Sequence, residues 1–231
     1  MISVLIVGDG NVANHLYNAF TKIGDLKVTK INSRRLENIP TADITILAVS
    51  DDAIAEVSKN IQNNFVVHTS GACNINELKN KKQKGVFYML QTFSKNKSIN
   101  FSVVPFCLEA DNDNDYLLLE KLANLLGNRI YKIDSNQRKK LHVAAVFVNN
   151  FTNYMYTIGN EICDKNNIPF EILYPLIEET SNKIKSLSPN EAQTGPAVRH
   201  DEQTIKNHLN LLDKNQQEIY KLLTKSIQNG A

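Results

Sequence analysis

The 231-residue chain is 42% hydrophobic with a formal net charge of +2, which suits one large globular domain or two modest ones. No basic block or arginine–aromatic interleaving offers a nucleic-acid surface, and no apolar stretch approaches the length of a membrane span. Cys73, Cys107 and Cys163 are odd in number and widely separated, without a C-x-x-C pair. That pattern argues against a disulfide framework or a metal site and fits reduced thiols in the cytoplasm, as does Met1 leading straight into a strand with no room for a signal peptide.

Residues 2–7, Ile-Ser-Val-Leu-Ile-Val, read as a buried parallel strand. Behind them Gly8, Gly10 and Ala13 fit the G-x-G-x-x-G/A dinucleotide fingerprint, with Asn11 and Val12 between. Gly8 permits a tight turn, Gly10 lets the backbone approach a pyrophosphate, and Ala13 lets the following helix pack close to the strand. That helix, expected over 11–23, carries Val12, Leu16, Ala19, Phe20 and Ile23 as an apolar stripe and points its N-terminal N–H groups at the phosphates. Further strands are expected at 27–32, 44–49, 64–69, 86–91, 102–109 and 129–133, and helices at 52–60, 74–80 and 112–126. The alternation implies an α/β, Rossmann-type, mainly parallel sheet covered on both faces.

Ligands of such sheets bind beyond the carboxyl ends of the strands, so those ends carry the functional candidates. The second strand ends Asn32-Ser33-Arg34-Arg35, where NAD-preferring proteins usually place an acid for the ribose 2′-hydroxyl. Two arginines suit a 2′-phosphate instead, so NADP is the expected cofactor, with Ser33, Arg34 and Arg35 around it. Val49 and Ser50 follow the third strand and would line the adenosine side, while Asp51 and Asp52 suit a helix cap. The fourth strand ends His68-Thr69-Ser70-Gly71, with His68, Ser70 and Gly71 expected near the nicotinamide; the fifth ends Leu90-Gln91-Thr92-Phe93.

After Asp134 the pattern changes. Residues 136–164 hold no proline and a single glycine, with Ala144, Phe147, Val148, Phe151, Met155 and Ile158 at helical spacing, a helix of roughly 40 Å. A second helix is expected over 169–187. A third begins after Asp201, a good N-cap, with Ile205, Leu209, Leu212, Ile219 and Leu223 as its stripe. These features place a boundary at 134, between a nucleotide-binding domain (1–134) and an all-helical substrate and dimerisation domain (135–231). His142, Asn149, Asn150 and Asn153 lie largely opposite the aromatic stripe, and a Thr194-Gly195-Pro196 turn presents Arg199 beside Asp201.

The whole chain resembles a group of bacterial proteins that join an NADP-binding Rossmann domain to a helical domain of unknown function and are described as oxidoreductases. They are akin to deazaflavin-dependent NADP reductases and, more distantly, to pyrroline-5-carboxylate reductase, ketopantoate reductase and 6-phosphogluconate dehydrogenase. The resemblance rests on Gly8 to Ala13, His68-Thr69-Ser70-Gly71, Leu90-Gln91-Thr92-Phe93, His142 with residues 144–151, and Thr194-Gly195-Pro196 with Arg199 and Asp201. Two features depart from it. Met89 stands where relatives tend to have proline, and His142 is followed four residues later by Val146, so the Lys-x-x-x-Asn pair of the dehydrogenases is not carried over. The expectation is an NADP-dependent reductase or dehydrogenase of a small polar carbonyl, imine or hydroxy acid. His142 would act as general acid or base, Asn149 or Asn150 would hold a substrate oxygen, and Arg199 an anionic group. The competing readings are a non-catalytic NADP sensor and hydride exchange with a flavin-like carrier. Exposed stripes on the helices further imply a homodimer through 135–231, with the cofactor cleft between the two domains.

Overall fold

The computed structural model describes residues 1–230, which divide into two compact units, Met1–Asn149 and the residues from Asn150 onward. The first unit holds β1 (Ile2–Val7), α1 (Asn11–Phe20), β2 (Leu26–Ile31), β3 (Ile44–Leu47), α2 (Ile54–Lys59), β4 (Phe65–His68), β5 (Gln83–Met89), β6 (Phe106–Ala110), α3 (Asp113–Asn124), β7 (Ile130–Lys132) and α4 (Ser135–Ala145). Among the described residues the strands form one seven-stranded sheet in the order β2-β1-β3-β4-β5-β6-β7. It is Rossmann-like, as expected, with the strand order reversing between β1 and β3.

Alternation along β1 explains the two covered faces. Val4 and Ile6 join Ala13, Leu16 and Phe20 of α1 in one core, while Leu5 and Val7 join Leu47, Ile54, Val57 and Val66 in another. Full burial of each of these Val, Leu, Ile and Phe side chains contributes about 1.5–3 kcal/mol. The β5–β6 pair is antiparallel, with Met89 opposite Phe106. The connection returns to the same end of the sheet without a crossover helix, which a parallel pair requires. The 102–109 strand starts only at Phe106 because Pro105 lacks a ladder N–H and Phe101–Val103 forms a 3₁₀ turn. In place of a 74–80 helix there is a 3₁₀ turn at Ile75–Glu77, capped by Asn74 and followed by extended Leu78.

The chain divides one helix beyond residue 134 because α4 is fastened to the sheet. Asp134 and Gln137 form a capping box at its start, and Ser135 and Arg138 are buried against Glu109 of β6. The expected uninterrupted helix over 136–164 is broken by a π-helical turn at Val146–Phe151.

The second unit contains α5 (Thr152–Lys165), α6 (Tyr174–Lys183), α7 (Pro189–Ala192), α8 (Glu202–Leu211) and α9 (Lys214–Gly230). Asn167, at φ 55, ends α5 as Ile168 N–H returns to the Cys163 carbonyl at 3.0 Å. The 169–187 helix proves shorter, a 3₁₀ turn (Phe170–Leu173) leading into α6. The last expected helix is two. Leu212 turns extended, and the Asp213 side chain then caps α9 by accepting from Gln216 N–H at 3.0 Å.

Candidate active site

A cleft of about 880 Å³ opens at the carboxyl ends of β1 to β4, where the strand order reverses. Its walls follow from the sheet itself. Gly8 N–H donates to Ile31 O at 2.9 Å, Ala48 N–H to Val7 O at 2.9 Å, and Thr69 N–H to Leu47 O at 3.2 Å, so each strand end is laced to its neighbour. Of the fingerprint residues, Gly8, Gly10, Asn11 and Val12 line the cleft, while Ala13 lies fully buried beneath them. Gly8 sits at φ +140, and a Cβ there would stand 2.2 Å from the Ala48 carbonyl oxygen. Only glycine fits. Gly10 caps α1 without a side-chain hydrogen bond and no acid occupies the first turn, so the helix presents unsatisfied N–H groups and positive dipole. Asp9, also on the wall, is neutralised by Lys30 at 2.9 Å.

Beyond β2, the Asn32 side-chain oxygen accepts from Arg34 N–H at 2.9 Å, a local turn that puts Asn32, Ser33 and Arg34 on the cleft wall. Arg35 is exposed and does not line the cleft. Val49 and Ser50 also line it. So do Ala48, Ala53, Val57, Thr69 and Phe93, which sequence reasoning did not single out as cofactor contacts. Thr69 was visible only as the neighbour of His68. Phe93 arrives through a tertiary tie, its carbonyl accepting from the Asn11 amide at 2.8 Å while His15 packs on its ring with centroids 5.5 Å apart.

His68 and Ser70 are buried and absent from the cleft wall. His68 Nδ1 accepts from Ser70 N–H at 3.1 Å, and the Ser70 hydroxyl accepts from Ala72 and Cys73 N–H at 3.1 and 3.0 Å. Burial, with Arg138 nearby, pushes the His68 imidazole down to about 4, so the ring is neutral at physiological pH. Together they shape the turn that delivers Gly71.

Gly71 meets the catalytic candidate His142. A Cβ on Gly71 would lie 2.6 Å from His142 Nδ1 and 2.8 Å from Tyr88 Cζ, so close packing of the two rings requires glycine. His142 stands on the face of α4 that carries Ser135 and Arg138, spaced three and four residues apart. Arg138 has no solvent exposure and donates to the Glu109 carboxylate, the Cys73 carbonyl (2.5 Å) and the Ser135 hydroxyl (3.0 Å). Asn149 is exposed on the π-helical turn. Asn150 and Arg199 belong to the second unit, both exposed; Arg199 follows Gly195 (φ +110), and Asp201 caps α8 by accepting from Thr204 N–H at 3.1 Å.

Residues 104–227 match the family described as Domain of unknown function (DUF2520). The chain belongs to that family. No curated protein matches it. Among solved structures, a Bacteroides fragilis protein provisionally described as an NADP oxidoreductase is 37% identical over 99% of this chain and 98% of that one, with a TM-score of 0.90. A Thermotoga maritima protein is 17% identical over 98% and 97%, TM-score 0.73. The 1-pyrroline-5-carboxylate reductase of Streptococcus pyogenes is 13% identical over 99% and 98%, TM-score 0.62. At those identities the last two share the fold of this DUF2520 protein. No helix among the described residues is long and apolar enough to cross a membrane.

Proposed function

We propose that the protein is an NADP-dependent oxidoreductase acting on a small polar carbonyl, imine or hydroxy acid. The observation that carries the reading is the cleft itself: an uncapped helix N-terminus and a glycine that admits no Cβ, joined at the end of β2 by Arg34 with no acid in the turn. The α1 N-terminus would hold the pyrophosphate, Ser33 and Arg34 the 2′-phosphate, and Val49 and Ser50 the adenosine side. When bound, NADPH supplies the hydride. The turn from Thr69 to Gly71 would bring His142 to the nicotinamide end, where it handles the proton that accompanies reduction. Asn149, Asn150 and Arg199 are assigned to substrate, on the strength of their residue types and of a π-helical turn, a feature frequent at functional sites. The similarity to the Bacteroides fragilis protein supports the same class of activity.

The test is to follow nicotinamide absorbance with NADPH against panels of keto acids, cyclic imines and flavins. Turnover with one class, reduced by about 10²–10⁴ in His142→Ala at unchanged NADPH affinity, supports the reading. Tight NADPH binding with no turnover on any class makes the protein a sensor, and turnover with flavins makes it a carrier reductase.

We also assign the protein to a homodimer through its helices and to the cytoplasm. Supporting the first, Ile172, Leu176, Leu211 and Leu222 of the second unit are each more than 60% exposed. Supporting the second, all three cysteines are free thiols. Light scattering at micromolar concentration checks assembly: a mass of one 26.0 kDa chain refutes the dimer.

A further inference from the structure

Tyr88 lies on β5 with its ring in a small buried cluster of Ile75, Val86 and Cys107, against which Ile133 and Leu141 also pack. Its hydroxyl reaches 3.3 Å from His142 Nδ1, with the rings edge-on and their centroids 6.2 Å apart. His142 Nε2 makes no hydrogen bond among the described residues. The ring cannot drift from this partner on the Gly71 side, where even one methyl group would collide with both. Nor does α4 slide, since the Arg138–Glu109 pair and the Ser135 hydroxyl fasten it one and two turns earlier.

We propose that Tyr88 is the positioning residue of His142: its O–H donates to Nδ1, keeps the neutral imidazole protonated at Nε2, and thereby makes Nε2–H the group that meets substrate. The inference rests on His142 being the proton-handling residue. Two facts set the direction of the hydrogen bond. Burial holds the Tyr88 phenol up at about 12, so it keeps its proton across the working range. An imidazole nitrogen is also a better acceptor than a phenol oxygen, so the phenol donates. A 3.3 Å separation is long for such a bond, as is common before a ligand tightens the site.

The consequence is chemical selectivity. A ring presenting N–H polarises an acceptor atom, a carbonyl oxygen or an imine nitrogen, as a neutral imidazole can. It does not offer the lone pair needed to deprotonate an alcohol. The resting site is therefore set for reduction of C=O or C=N. As charge builds on the acceptor atom, Nε2–H donates to it while Tyr88 keeps its own proton and holds the ring; the proton delivered from Nε2 is replaced from solvent at the half-exposed imidazole.

The experiment is long-range ¹H–¹⁵N correlation of the five histidine rings in ¹⁵N-labelled full-length protein, with His142→Gln identifying the His142 signals. The expected wild-type spectrum at pH 8 shows His142 as the Nε2–H tautomer. Tyr88→Phe, which keeps the ring and its packing, should turn this into a mixture of tautomers and lower turnover at least tenfold. A wild-type Nδ1–H tautomer overturns the proposal, as does a Tyr88→Phe spectrum unchanged at His142. Because the tautomer is read without substrate, the outcome is independent of activity. Full turnover in His142→Gln would instead remove the catalytic reading while leaving the tautomer result standing.

Discussion

Arg138→Met tests whether the buried ion pair holds α4, the helix that carries His142. Arg138 is fully buried, and the side chain of its partner Glu109 is only 16% exposed. Methionine replaces much of the volume but leaves the Glu109 carboxylate with the Ser135 hydroxyl alone, at 2.8 Å, and strips the Cys73 carbonyl of its donor. Removing one partner of a buried pair costs about 3–5 kcal/mol, against a total domain stability of about 5–15 kcal/mol. At about 2–4 °C per kcal/mol for a unit of this size, the thermal midpoint should fall by about 6–20 °C. Residual water at Glu109 favours the lower half of that range. Circular dichroism melts of wild type and variant give the number directly. Adding Glu109→Leu should recover part of the loss, because the stranded charge disappears with its carboxylate. A single variant melting within about 2 °C of wild type would show that the pair contributes nothing and that α4 is held otherwise.

The proposed NADPH preference rests on the turn after β2: losing a charge-assisted hydrogen bond costs about 1.5–3 kcal/mol, so Arg34→Ala should reduce a preference for NADPH over NADH by at least tenfold in titration calorimetry. Equal affinity of the wild type for both cofactors rules this out. His68 titrates near 6.5 when unfolded and near 4 when folded, so the unfolded chain holds the additional proton between those values. Its contribution, about 3 kcal/mol, is complete above pH 6.5 and lost as pH falls towards 4. Urea midpoints of His68→Gln should accordingly vary less between pH 7 and 4.5 than those of wild type; parallel profiles would contradict the burial argument.

Much of the cleft was legible because its geometry is local. The fingerprint couples a strand, a turn and a helix start within a dozen residues, and the Asn32 turn is set by its own side chain. The rest depends on docking. Tyr88 reads as one apolar position in the β5 alternation, and nothing near it in sequence indicates that it meets a residue of α4 54 positions away. Glu109 and Arg138, 29 residues apart, read as surface charges until the helix lies on the strand. The π-helical turn carries no glycine or proline to announce it. The break between α8 and α9 is different in kind: Asp213 and Gln216 have capping-box spacing, a signal overshadowed by the apolar stripe that runs across it.

The segment from Thr69 to Cys73 shows how the cleft and His142 are held in one frame. It leaves the sheet at Thr69, a cleft-wall residue whose N–H and hydroxyl both donate to the Leu47 carbonyl. One residue on, the Ser70 N–H is fixed by His68 and its hydroxyl folds the chain back through Ala72 and Cys73. Gly71 then touches the Tyr88–His142 pair, and the Cys73 carbonyl receives Arg138 from α4. Five residues thus run from a wall of the cleft to the anchor of the helix that carries His142. Every backbone polar group named along this path is engaged by a neighbour, so the segment is stiff. A shift at Thr69 would be passed to His142 through Gly71, where the gap is too small to absorb a methyl group. The spacing between Thr69 on the cleft wall and His142 is therefore set by a closely bonded turn inside one folding unit. The neutral, buried His68 acts in that turn as a structural hydrogen-bond acceptor, which is the physical reason a histidine at a strand end can serve this site without entering the cleft.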